Sequence, residues 1–224
     1  MKFNNLLESY RKDVLPLIYL NYDAFSDNEK QQLETLCNFF CGLHSLVNLA
    51  GVAQSSALQV EPALFNGRGP IHGGDFLKDT EPGSCRLIRT ASKAFASGRG
   101  ADEKSGCQGP FRAFIGDFLK ENNLRSLPLK PYRGARFNVL FENASTVYFL
   151  HEKFTLFLES YGASNRLLQS ILHDLKIQEY LAGVKALGLI SKLLTCPLWH
   201  LLEDKSVNIL DMNEKYQQLV TFLN

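Results

Sequence analysis

Side chains able to do chemistry gather in only a few places along this chain. Cys37, Cys41 and His44 follow one another at offsets of four and three, and Asn48 comes four residues later, so a helix through them carries all four on one face. A zinc site wants four ligands drawn from at least two segments, and the sequence holds no second Cys/His cluster. That face therefore reads as small buried thiols beside a histidine bonded to a neighbour, with no metal and no cofactor. Arg86, Arg89 and Lys93 form a second set, three cations at helical spacing, followed by the glycine-rich stretch Gly98-Arg99-Gly100. Cations beside flexible glycines suit the phosphate oxygens of a nucleic-acid backbone, while a solvated helix face with a surface loop accounts for the same residues without a ligand. The order is not that of a P-loop, which needs a preceding strand and a Gly-Lys-Ser/Thr ending. Lys130, Arg133 and Arg136 add a third basic group. His151 falls in an apolar stripe and reads as a core histidine with a local hydrogen bond. No nucleophile elbow, His-Glu-x-x-His or nucleotide fingerprint is present, and no strand-borne acids offer the carboxylates that hold two metal ions about 4 Å apart. No catalytic residue is assigned.

The elements that must carry these residues read as helices. Phe3 to Tyr22 has apolar residues at helical spacing, with Pro16 as a kink or break. Ser26 and Glu29 make a capping box that starts a second helix, from about Asp27 to about Ser56, apolar around much of its circumference. Long flexible loops are expected at about 66–84 and 97–108, on either side of a short basic helix over Leu87 to Phe95. Gly109-Pro110 opens a helix ending near Asn122-Asn123. The Pro-rich connector from Leu124 to Gly134 is extended, with one or two short strands near Leu127 to Lys130. Phe137 to Gly162 is the longest clean helical pattern. A compact set follows: a helix through Leu167 and Ile171, another from Gln178 to Leu194, a turn at Thr195-Cys196-Pro197, and a last helix from Met212 to Leu223. The fold class is mainly α, a bundle-like array in a single domain over 1–224.

A chain of 224 residues with 45% hydrophobic content can bury a substantial core. Its 24 Lys and Arg against 23 Asp and Glu create no global field for nucleic acid or an anionic membrane, so any DNA contact must be local. Five dispersed cysteines, without a signal-peptide pattern, read as reduced thiols of an intracellular protein of nucleus or cytoplasm. No uninterrupted apolar run reaches the roughly 18 residues of a membrane span, so no membrane partner is expected.

Two motifs carry a family resemblance. The segment Asn38-Phe39-Phe40-Cys41-Gly42-Leu43-His44-Ser45-Leu46-Val47-Asn48-Leu49 resembles the Cys-x-x-His helix of hAT-superfamily transposases, and Arg136-Phe137-Asn138 resembles their Arg-Trp-Asn motif, with Phe137 in place of Trp. Leu127 to Asn138 and Tyr180 to Lys192 are similar to animal transposase-derived proteins of the same type. The resemblance implies an incomplete RNase H-like core with its helical insertion, as a fragment or a shortened domesticated descendant. The family's first two catalytic aspartates precede the Cys-x-x-His helix on strands, and the residues before Cys41 supply neither strand nor acid in that place. The resemblance thus implies a catalytically inactive protein. Weak DNA-backbone contacts would run through Arg86, Arg89, Lys93, Arg99, Lys130, Arg133 and Arg136; the alternative is a helical module that docks another protein or a second copy and has no nucleic-acid role.

Overall fold

The computed structural model describes residues 8, 10–19, 21–34, 42–65, 81–98, 107–132, 138–207 and 212–223, which are mainly α-helical and contain no strand. Contacts divide the chain into two compact units, Met1–Phe40 and Cys41–Asn224. In the first, a π-helical turn over Tyr10–Val14 runs into the short helix α1, Leu15–Ile18, with Pro16 in its first turn. The chain turns extended at Tyr19, so the helical pattern read as far as Tyr22 ends early. Only Leu15 of α1 is buried; Leu17 and Ile18 are exposed. Helix α2, Asp27–Glu34, starts at the capping box: the Ser26 amide donates to Glu29 Oε2 at 2.9 Å and the Ser26 hydroxyl to the same oxygen at 2.6 Å. These bonds hold the Glu29 carboxyl below its usual range.

The second unit begins with α3, Gly42–Leu64, which passes the boundary drawn at Ser56 and carries Pro62 in its last turn, where the proline removes one backbone donor close to the end of the helix. Then follow α4 (Gly83–Phe95), α5 (Gln108–Phe114), α6 (Gly116–Glu121), α7 (Val139–Tyr161), α8 (Arg166–Leu175), α9 (Gln178–Ile190), α10 (Cys196–Glu203) and α11 (Met212–Leu223). Helices α4, α7, α8 and α9 pack on one another as the core. Four phenylalanines tie α4 and α5 to α7: Phe111 stacks on Phe154 at 4.7 Å, Phe95 closes against both, and Phe157 meets Phe95 and Phe111 edge-on. Helix α7 stops at Gly162, whose φ of 90° a side chain would resist.

The turn read at Thr195-Cys196-Pro197 is not a chain reversal. A π-helical turn over Ser191–Thr195 joins α9 to α10, so the chain is helical without interruption from Gln178 to Glu203. Pro197 has no N–H to continue the α pattern, and the widened turn just before it accommodates its ring. By length and composition this 26-residue helix could cross a membrane; here it packs along α7 and α4.

Two glycines let α9 approach its neighbours. A Cβ at Gly183 would stand 2.8 Å from Cβ of Ser84 on α4, and one at Gly188 would stand 3.1 Å from Cα of Ser145 on α7. The Ser145 hydroxyl uses that proximity to donate to the Gly188 carbonyl at 3.0 Å.

The connector before α7 has no regular secondary structure over 127–132 and pairs with no strand among the described residues. Its backbone partner is the side chain of Asn143, fully buried on α7: Asn143 Oδ1 accepts from the Lys130 amide at 3.0 Å, and Nδ2 donates to the Lys130 carbonyl at 2.7 Å. Thr146, one turn on, donates to the Pro128 carbonyl at 2.8 Å. The short strands expected here are therefore replaced by a side-chain ladder that satisfies the same backbone groups.

Candidate functional site

Helix α4 carries the first group of cations proposed for phosphate contact, and eleven of its thirteen residues are buried. Arg86 is 1% exposed and donates through Nε and Nη2 to both oxygens of Asp174 on α8, at 2.9 and 2.8 Å. Its guanidinium also lies over the Tyr180 ring at 5.3 Å. Burial alone would depress Arg86, but the bonds to Asp174 outweigh it and hold the group above its ordinary value. Arg89 is half-buried and grips Glu81 with two bonds of 2.7 and 2.6 Å. The assignment of Arg86 to DNA contact is therefore corrected: its donors and charge are spent inside the core. Arg89 is committed to Glu81 in the same manner. Lys93 is exposed, and Lys130 is exposed but paired with Glu142 at 2.5 Å. Arg99, Arg133 and Arg136 lie outside the described residues.

A helix this polar can sit inside because each polar group is met. The hydroxyls of Thr90 and Ser92 donate back to the carbonyls of Arg86 and Ile88, at 2.8 and 2.6 Å. Asn143 donates to the Ser92 hydroxyl at 2.9 Å. The first turn is capped from another helix: Glu61 on α3 accepts from the Gly83 amide at 2.7 Å and, through its other oxygen, from the Ser84 amide and hydroxyl at 2.9 and 2.7 Å. This is the work of an N-cap side chain, which Pro82 at the cap position cannot perform. Nearby, burial pushes the Cys85 thiol up to about 12, helped by the charges of Glu61 and Glu81, and burial likewise raises the Tyr132 hydroxyl to about 12. Both stay protonated, and neither is a nucleophile at neutral pH.

Of the motif positions, Cys41, Arg136 and Phe137 lie outside the described residues, and of His44 the structure describes the backbone alone, within α3. Asn48 is exposed on the same helix. Asn138 sits at the cap position of α7, 3% exposed, and donates to Cys196 Sγ at 3.8 Å, while its Oδ1 is buried without a hydrogen-bond partner among the described residues. His151 is half-buried; its Nδ1 stands 2.6 Å from the Tyr148 carbonyl and its ring stacks on Tyr148. Among the described residues no three His, Cys, Asp or Glu side chains converge as metal ligands.

Two grooves flank α9. The one between α7 and α9, about 530 Å³, is the more polar of the two, with Ser145, His151, Glu152, Lys185 and Lys192 lining it beside Tyr148, Phe149 and Leu189. The other lies between α3 and α9 and is apolar. Phe65, just past the end of α3, packs edge-on against Tyr180 near the start of α9 at 5.5 Å, so the C-terminal end of one helix lies beside the N-terminal end of the other. The space between them, about 350 Å³, is lined by the small residues Ala53, Ala57, Gly183 and Ala186 and by larger ones that include Val52, Val60 and Leu64. Those last three are 61%, 52% and 46% exposed, an apolar rim open to solvent. Its charged lining residues are Glu61 and Glu179. Motif reading could not find this groove. Its one signal in the sequence is that α3 is apolar on more sides than a surface helix needs.

No protein-family model, curated protein or solved structure matches this chain. What it can do is therefore argued from the grooves and from the resemblance of its motifs.

Proposed function

We propose that this chain is a catalytically inactive, hAT-transposase-derived helical module with an incomplete RNase H-like core, and that it acts by docking protein through the groove between α3 and α9. The observation that carries the docking role is that groove: open, apolar along its length, and rimmed by exposed Val52, Val60 and Leu64. The descent rests on the resemblance around Cys41, His44 and Asn138. A weak DNA-backbone role is the second reading, and it has lost its strongest cations, because Arg86 and Arg89 are held by Asp174 and Glu81. A protein that binds phosphates keeps such cations free to displace counterions.

Two assays on the full chain decide between these. Fluorescence anisotropy with a labelled duplex at low salt is expected to show no saturable binding, and incubation of terminal-repeat DNA with Mg²⁺ or Mn²⁺ is expected to leave it uncut. Salt-dependent duplex binding weakened by neutralising Arg133 and Arg136 would replace the docking reading with the DNA one. Metal-dependent nicking would overturn inactivity.

A further inference from the structure

Resting on the protein-docking reading, we infer that the groove between α3 and α9 takes an amphipathic helix of a partner protein, with a lysine or arginine where that helix passes the start of α9. Shape sets the first half of this. Lining residues on α3 run from Leu49 to Leu64, a little over four helical turns, or roughly 22 Å at 1.5 Å per residue. Two neighbouring helices with Ala53, Ala57, Gly183 and Ala186 between them leave a channel into which a third helix can lay its i, i+3, i+4, i+7 row of large side chains. The exposed rim of Val52, Val60 and Leu64 would flank that row and shield it from water.

Charge sets the second half. The lining contains two acids and no cation. Glu61 has both oxygens engaged at the first turn of α4, so its charge faces the helix N-terminus. Glu179 is half-buried on the first turn of α9 and makes no hydrogen bond or ion pair among the described residues. A docked helix with an acid there would meet repulsion in a partly desolvated place; one with a lysine or arginine would pair with Glu179 and fix its register.

The test uses the full chain and two synthetic four-turn peptides. Both carry a leucine row at three- and four-residue spacing; one has lysines flanking each end of the row and the other has glutamates. Titration followed by anisotropy is expected to give saturable 1:1 binding of the lysine peptide and at least tenfold weaker binding of the glutamate peptide. Glu179→Lys should invert that preference. Ala57→Trp, which fills the channel, should weaken the lysine peptide at least tenfold while the circular dichroism spectrum and urea midpoint stay near those of the parent. Equal affinity for the two peptides, or a preference unmoved by Glu179→Lys, overturns the inference. So does a dimer by light scattering that Ala57→Trp dissociates, because the occupant is then a second copy. Failure with both peptides, in a chain that is monomeric and leaves DNA unbound and uncut, removes this occupant alone, whereas DNA binding or cleavage removes the docking reading beneath it.

Discussion

Arg86 and Asp174 meet through two parallel hydrogen bonds although 88 positions separate them in the chain, and the pair is shut away from solvent, with side-chain exposures of 2% and 0%. Such a pair adds little net stability over a well-packed apolar replacement, but breaking it strands a charge. Asp174→Ala should therefore cost about 3–5 kcal/mol in urea unfolding. The double variant Arg86→Met with Asp174→Leu should recover most of that. A single-variant loss below about 1 kcal/mol, the range of exposed pairs, would mean that water reaches the guanidinium.

Gly83 is required by Tyr180. A Cβ added at Gly83 would lie 2.1 Å from the Tyr180 ring, which is itself 1% exposed and cannot swing into free space. Gly83→Ala should destabilise by about 1–3 kcal/mol or more through overpacking, despite alanine's better helix propensity. Combining it with Tyr180→Leu should be far less than additive, and additive losses would show that the ring is not the obstacle.

Asn143 holds the connector by donating and accepting at once. Asn143→Asp keeps an acceptor for the Lys130 amide but cannot donate to the Lys130 carbonyl or the Ser92 hydroxyl, and it buries a charge. A loss of about 3 kcal/mol or more is expected from the unmet groups and the desolvated carboxylate. Amide hydrogen exchange at Lys130 separates this from general weakening: in Asn143→Leu its protection should fall before that of α7.

Alkaline pH should unfold this protein through Cys85 and Tyr132. Folding raises both to about 12, from ordinary values of 9.0 and 10.0, chiefly by burial. Below the ordinary values both states hold these protons and stability is unaffected. Above them the unfolded chain has released protons that the folded one retains, so stability falls as pH rises through that window toward about 12. Urea midpoints across the range should decline, and Cys85→Ala should make the decline shallower. A flat profile up to pH 11 would mean that water reaches both groups.

What the sequence by itself determined is local. The capping box at Ser26 and Glu29, the helix ends near Asn123 and Gly162 and the long apolar stripe of α7 arise from contacts within one or two turns, and residue types at those spacings carry them. Much of the rest was decided by residues far away in the chain. Arg86, Arg89 and Lys93 do share a helical spacing, yet periodicity cannot say whether a cation meets water, a phosphate or a buried carboxylate. Asp174, 88 positions on, decides for Arg86; Glu61, 22 positions back, caps Gly83; Asn143, 51 positions on, reaches Ser92. Each turns a polar helix into a core helix by meeting a group that would otherwise need solvent. The groove between α3 and α9 belongs to the same kind, for it is made by neither helix alone but by small residues on both placed side by side.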